Sequence, residues 1–352
     1  MRVFSGILLA VLVSLGTAAW AQQGQQTPDQ SQEDRIKAQQ QRAVTQPGNN
    51  APVWREVREG HSPYTNSTVK GRETNVLVQS WGETWRQIRN GPLTFWGGWL
   101  VVVVLLAIAA FYFIFGPVKL HGRPTGRLIR RFSSLDQVLH WTVAISFSIL
   151  GLSGLLMLFG KHVVLPLLGY TLFAWLAALS KNLHNFVAPI FMVSVAIFAI
   201  LFVRYNLPRA YDLAWFRHAL GYVTGKKHVP SGKFNGGEKV WFWGGVVVLS
   251  IVVSWSGLIL LFPNFDQTRA VMQQAWIWHA SAAVLYIAIS LGHIYLGTAG
   301  VEGAYKAMRT GYVDEMWAKE HHEYWYNEMK SGSGAAASGA IPAGAPHEEE
   351  KA

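Results

Sequence analysis

The chain has 352 residues, of which 51% belong to the apolar and aromatic set and only 14% are charged, against roughly a quarter charged in soluble domains. That balance points to a membrane protein, and the absence of Cys excludes disulfides, thiolate zinc sites, iron–sulfur clusters and CxxCH haem attachment. The formal charge of +10 does not indicate a nucleic-acid partner, because the Lys and Arg residues flank apolar runs as membrane topology demands.

Residues 1–21 carry Arg2, an apolar run from Ile7 to Leu15, and small residues at Ala19 and Ala21, the pattern of a cleavable secretory signal with Gln22 as the mature start. The Gln-rich stretch that follows cannot bury enough apolar surface to offset its conformational entropy, so residues 22–94 are expected to form an exported, partly disordered periplasmic arm. Aliphatics and tryptophans return in residues 52–91, as a small exported element or a segment lying on the membrane surface.

Five apolar runs then reach the ~20 residues that cross a ~30 Å hydrocarbon core: residues 95–115, 138–159, 182–203, 240–262 and 275–297. Residues 163–179 are also apolar, but Pro166 and Gly169 favour an interfacial connection over a sixth crossing. One set of connections is basic, with Lys119, Arg123, Arg127, Arg130 and Arg131, then Arg204, Arg209, Arg217, Lys226, Lys227 and Lys233. The alternate set carries only Lys161, Lys181 and Arg269. The positive-inside tendency puts the basic loops and the C-terminus in the cytoplasm and the N-terminus outside. Residues 301–330 form a cytoplasmic amphipathic segment, and the Gly/Ala-rich, acidic residues 331–352 a disordered tail.

Of the 12 histidines, His140, His184, His279 and His293 lie within or at the edges of the spans. An ionisable group in a spanning helix is costly and marks a functional site by default. His279 and His293 are 14 residues apart on one helix, which separates them by ~21 Å along the axis and only ~40° around it. The topology gives His184 the outer depth of His279 and gives His140 the inner depth of His293. Two bis-histidine sites stacked across a bilayer suit two haems b, each iron held axially by neutral imidazoles. Small residues near these positions, among them Gly151, Ser153, Gly154 and Gly292, would admit a porphyrin, although ordinary helix packing accounts for them as well. The competing reading, a haem-free metal-ion transporter, would prefer carboxylate ligands, and the spans carry almost no Asp or Glu.

The order Leu139-His140-Trp141-Thr142-Val143, Leu183-His184, Gly232-Lys233-Phe234-Asn235-Gly236-Gly237-Glu238-Lys239, His279-Ala280-Ser281-Ala282 and Gly292-His293-Ile294-Tyr295 resembles the cytochrome b (gamma) subunit of membrane-bound formate dehydrogenase. Trp317-Ala318-Lys319-Glu320-His321-His322 with Trp325-Tyr326 is similar to that family's cytoplasmic end. The resemblance implies an all-α integral membrane fold with a four-helix di-haem core over residues 116–300, to which the run at 95–115 adds one N-terminal transmembrane helix that the family pattern lacks. It implies the same ligand pairs, His184/His279 outside and His140/His293 inside. It further implies an iron–sulfur (beta) subunit and a molybdenum or tungsten pterin (alpha) subunit on the outer face of a bacterial inner membrane, with homo-oligomerisation of the complex compatible.

Formate chemistry would lie on the partner. The family's quinone pocket maps to Asn235, Gly237 and Glu238 near His293, whereas the residues alone read as a solvated turn with Lys239 at the interface. Related hydrogenase and molybdenum-enzyme cytochromes b share the two-haem scheme. Glu238 stands where the family commonly has Gln; the extra helix and the acidic tail are further departures. His321 and His322 are expected on a solvated face, and His61, His121, His162, His218, His228 and His347 have no assigned role.

Overall fold

The computed structural model describes residues 81–331 continuously, with 33–34, 36–38, 40–41, 54, 57–60 and the strand at 341–342. The signal segment, most of the arm and most of the tail lie outside the described residues. The chain divides into two compact units, one of residues up to Pro92 with Ser256–Trp278 and one of Leu93–Trp255 with His279 onward.

In the first unit, α1 (Gly82–Ile88) sets Trp85 edge-on to Trp276 at 5.7 Å. The Arg89 guanidinium lies 5.5 Å from the first ring and 5.3 Å from the second, a geometry in which a cation is attracted by both aromatic faces. The helical path breaks at Gly91, next to Pro92.

The second unit begins with α2 (Thr94–Phe115), 22 residues that are apolar on all sides, long enough at ~1.5 Å per residue to cross a bilayer. Phe113 and Ile114 are 83% and 71% exposed, as side chains facing lipid would be. Gly97 and Gly98 admit close neighbours: a Cβ on Gly97 would stand 3.5 Å from Val284 Cγ1, and one on Gly98 3.4 Å from Phe159 Cε1. The helix ends at Gly116, whose φ of 67° stops it.

α3 (Ser134–Phe202) starts with a reciprocal cap in which Asp136 N–H donates to Ser133 Oγ at 3.2 Å and Ser133 N–H to Asp136 Oδ2 at 2.9 Å. Gly169 (φ 73°, ψ 174°) is its one non-helical residue, and there the chain folds back on itself. Beyond the bend the two arms pack antiparallel: a Cβ on Gly160 would lie 2.8 Å from Phe173 Cε2, and Ser153 meets His184. Residues 163–179, expected as an interfacial connection rather than a sixth crossing, are helical on both sides of Gly169 and contain the bend that joins the two arms. Pro166 leaves the helix intact and only the left-handed φ at Gly169 interrupts it. Two expected spans are accordingly the arms of one hairpin, each over 30 residues and longer than a hydrocarbon core requires.

Two further apolar helical runs follow α4 (Ala210–Val223). The first joins α5 (Gly236–Trp241) through a wide-turned stretch to α6 (Ser250–Leu261), and the second is α7 (Arg269–Tyr295) with its wide-turned continuation Leu296–Gly300. Among the described residues, four helical runs, residues 82–115, 134–205, 236–261 and 269–300, are therefore long and apolar enough to cross a membrane.

A polar cap closes one end of the second unit. β1 (Arg127–Arg130) pairs antiparallel with β2 (Tyr312–Asp314), Ile129 opposite Val313, and on its other edge with β3 (Ile341–Pro342). This small sheet is the departure from an all-helical expectation. α8 (Ala304–Thr310), α9 (Glu315–His321) and α10 (Glu323–Lys330) complete the cap.

The cap has an apolar core of Phe132, Val313, Trp317, Ala318, Trp325 and Tyr326, continuous with the helices through Phe202 and Phe242. That core corrects the expected solvated face: His321 is 4% and His322 1% exposed. Lys239, expected at the interface, is buried and donates to both Asp212 oxygens at 2.9 and 2.8 Å, the pairing that a buried ammonium requires.

Candidate functional site

The four intramembrane histidines come together as two pairs. His184, on the second arm of α3, and His279 of α7 have ring centroids 6.0 Å apart; His140, on the first arm, and His293 of α7 are 6.3 Å apart. A metal–imidazole bond is about 2.0–2.1 Å and a ring centroid lies about 1.1 Å from its nitrogen, so two imidazoles on opposite sides of one metal have centroids about 6.2–6.4 Å apart. The His140–His293 centroids stand at that span and the His184–His279 centroids slightly inside it, so each pair is spaced much as two ligands of one metal ion would be.

The first pair has a fixed tautomer. Ser153 has one hydroxyl hydrogen, which it gives to Ile149 O at 2.7 Å. Toward His184 Nδ1, 2.9 Å away, it is consequently the acceptor. His279 Nδ1 lies 3.0 Å from Val253 O, which can only accept. Nδ1 carries the proton in both rings, and Nε2 keeps its lone pair for a ligand. The second pair is held by packing instead. His140 Nδ1 is buried without a hydrogen-bond partner, and His293 stacks on Trp241, centroids 4.7 Å apart and planes 12° from parallel.

These residues fit haem b. No three His, Cys, Asp or Glu side chains gather among the described residues, so each site offers two ligands. That number suits an iron whose other four positions belong to a porphyrin, and falls short of a four-ligand tetrahedral metal. The small residues beside the histidines differ: the His184 ring packs directly on Gly154, where a Cβ would lie 3.5 Å from Cε1, whereas a Cβ on Gly292, next to His293, would meet nothing within 4 Å.

Sequence reasoning missed what lies between the pairs. Tyr286 falls seven residues from His279 and seven from His293, hence on the same side of α7 and ~10 Å from each along the axis. It is 3% exposed, its hydroxyl is 2.9 Å from Ser250 Oγ, and its ring lies 4.7 Å from Phe147, 5.8 Å from Trp241 and 6.4 Å from Phe191. These aromatic side chains fill the helix interface at the level between the two pairs. The regular seven-residue interval was the available signal.

The turn expected from resemblance to hold quinone caps α5. Asn235 Oδ1 accepts from Glu238 N–H at 3.0 Å and Asn235 N–H donates to Glu238 Oε2 at 2.8 Å. Arg131 donates to Glu238 Oε1 at 3.2 Å and to Lys233 O at 2.8 Å, with its guanidinium near the faces of Phe132 and Trp317, both at 5.0 Å. A Cβ on Gly237 would lie 2.6 Å from Trp215 Cη2, so that glycine is required by close packing. Burial lowers the pKa of Lys233 to about 8.

Separately, a groove of about 590 Å³ runs along the first arm of α3 beside His140, lined by Gln137, Trp141, Thr142, Ile145, Ile190 and Arg309 among others. None of Asn235, Gly237 and Glu238 lines it.

The family of prokaryotic cytochrome b561 matches residues 131–311. The chain is 30% identical over 214 residues to the cytochrome b556(Fdn) subunit of the nitrate-inducible formate dehydrogenase of Escherichia coli (strain K12), spanning 58% of this chain and 93% of that one. It is 32% identical over 213 residues to the cytochrome b556(fdo) subunit of formate dehydrogenase of the same organism, at 57% and 93%. To the cytochrome b556 subunit of formate dehydrogenase of Haemophilus influenzae it is 25% identical over 211 residues, at 57% and 83%. Four apolar helical runs, two imidazole pairs and these matches agree: the chain belongs to the prokaryotic cytochrome b561 family, multi-pass membrane proteins that carry electrons on haem b.

Proposed function

We propose that this protein is the membrane-anchoring cytochrome b subunit of a respiratory formate dehydrogenase. In this role it conducts electrons from an exported iron–sulfur subunit, itself fed by a molybdenum or tungsten pterin subunit, through two haems b to the quinone pool. The observation that carries the reading is the pair of imidazole couples, 6.0 and 6.3 Å between centroids, on opposite stretches of one hairpin and one facing helix. Relatives at 30% and 32% identity, aligned over 93% of their length, are formate dehydrogenase subunits. When bound, haem b supplies one-electron transfer at an iron whose protein ligands need not change.

His184 and His279 are the outer ligands in this reading, and His140 and His293 the inner ones. The orientation rests on the basic residues Lys119 to Arg131 and Arg204 to Lys233 on the cytoplasmic side of a bacterial inner membrane, with the N-terminus outside. Residues 116–300 form the di-haem core and α2 is an additional helix before it; the family match begins only at residue 131.

Quinone reduction belongs to the Asn235–Glu238 turn. Trp241, three residues beyond Glu238 on the same helix, stacks on His293, and so links the turn to the inner ligand by direct contact. Asn235 and Glu238 would hydrogen-bond the quinone oxygens and admit protons from the cytoplasmic side. Haem quantitation with a reduced-minus-oxidised spectrum tests the cofactor reading: two haems b per chain are expected, and a colourless haem-replete preparation would reject it. Copurification of the tagged chain with an iron–sulfur and a pterin subunit tests the assembly.

A further inference from the structure

The two imidazole pairs differ in one respect that packing does not require. Both rings of the His184–His279 pair donate Nδ1–H to an oxygen, Ser153 Oγ at 2.9 Å and Val253 O at 3.0 Å. In the other pair His140 Nδ1 is buried with no partner, and His293 lies flat against the Trp241 indole. We infer that this asymmetry sets a difference in reduction potential along the protein, with Ser153 and the Val253 carbonyl holding the site of His184 and His279 below that of His140 and His293.

The inference rests on the haem reading above and follows from elementary ligand chemistry. A hydrogen bond that pulls on Nδ1–H moves electron density toward Nε2 and makes the ring a stronger donor. A stronger donor stabilises the ferric state more than the ferrous state, because the higher charge gains more from it, and the midpoint falls. A buried imidazole with no acceptor receives no such push. Electrons move spontaneously toward the higher potential, so the contacts of Ser153 and Val253 would direct them from the His184–His279 end to the His140–His293 end. That direction is built into α3 and α6, independently of any partner.

Ser153 is a positioning residue here, and its effect can be isolated because its own hydroxyl hydrogen stays within α3. The holo-chain is titrated redox-optically as the wild type and as Ser153→Ala, Ser153→Thr and His184→Ala. The wild type is expected to titrate in two steps. Ser153→Ala should raise the lower midpoint and leave the upper one in place, with both haems retained. A tenfold change in ferric over ferrous preference would read as ~59 mV for one electron. Ser153→Thr, which keeps the acceptor, should titrate as the wild type, and His184→Ala should delete the lower step.

An unmoved lower midpoint in Ser153→Ala, an equal shift of both steps, or loss of the upper step in His184→Ala would each overturn the inference. A preparation without a bis-imidazole haem b spectrum would instead reject the haem reading itself, and is told apart by the spectrum before any titration.

Discussion

Trp241 lies flat against His293, centroids 4.7 Å apart and planes 12° from parallel, and its ring also meets that of Tyr286 at 5.8 Å. The indole thus fixes the ring plane of one proposed ligand and forms part of the aromatic block between the two sites. Such a stack contributes about 0.5–1.5 kcal/mol beyond area burial. Trp241→Leu is expected to retain both haems, broaden or shift the spectrum of the inner one only, and slow its re-oxidation by a short-tailed quinone. Equal effects on both haems would contradict a local role for Trp241, and low-temperature absorbance spectra would show which occurs.

The pairing itself gives the sharpest expectation. Replacing His184 or His279 by Ala should remove one haem and leave the other assembled, whereas His140→Ala or His293→Ala should remove the second and spare the first. Each variant leaves its partner imidazole buried with an open valence at the metal, so affinity should drop by orders of magnitude rather than by a fraction. Haem quantitation with component spectra is the measurement. Loss of the same haem from His140→Ala and His184→Ala would refute the pairs.

The four histidines were legible because the membrane restricts where an ionisable side chain can sit, and a 14-residue interval on one helix fixes both side and depth. Trp241 was not legible, since an aromatic residue in an apolar run is ordinary lipid-facing or core material until its neighbours are known, and Tyr286 left only its seven-residue interval from His279 and His293 as a signal. His321 and His322 failed for a different reason. The amphipathic pattern of residues 315–330 was visible, but it does not say that Trp317, Trp325 and Tyr326 dock on Phe132 and Val313 and carry the histidines inside. The length of the hairpin arms was obscured by Pro166, which marks a helix end in most sequence contexts but is accommodated here within the first arm of α3.

The turn at Asn235 separates a structural from a chemical role. Asn235→Ser retains a side-chain oxygen for the Glu238 N–H, whereas Asn235→Ala removes the cap and costs about 1 kcal/mol. If the amide serves quinone, Asn235→Ser should slow haem re-oxidation by quinone with little change in thermal stability, and Gln137→Ala in the groove beside His140 should not. Gly237→Ala is expected to destabilise by about 1–3 kcal/mol, because its methyl would stand 2.6 Å from Trp215 Cη2. Paired quinone-oxidation rates and melting curves decide between the roles. Full activity in Asn235→Ser with loss in Gln137→Ala would move the quinone to the groove.

Burial lowers the pKa of His321 to about 4 and holds that of His322 well below its ordinary value, with the positive Arg131 next in order for His322. Glu320 pulls His321 the other way, while Arg131, His228 and His121 add to the lowering. Definite contacts fix the orientation of both rings: His321 Nδ1 is 3.2 Å from the Tyr222 hydroxyl, and His322 Nδ1–H donates to Gly232 O at 2.8 Å, a bond that opposes the lowering by burial without overcoming it.

An unfolded His321 would protonate near pH 6.5 and the folded one only near pH 4, so below pH 6.5 the unfolded cap binds the extra proton. Stability of the cap is therefore complete above about pH 6.5 and declines as pH falls toward 4, by about 3 kcal/mol from His321 at most. Limited proteolysis between α9 and α10 should accelerate over that window, with the fluorescence of Trp317 and Trp325 changing in parallel. His321→Gln, which can still bond Tyr222 but cannot titrate, should flatten the dependence. An unchanged acid sensitivity in that variant would assign it to other groups.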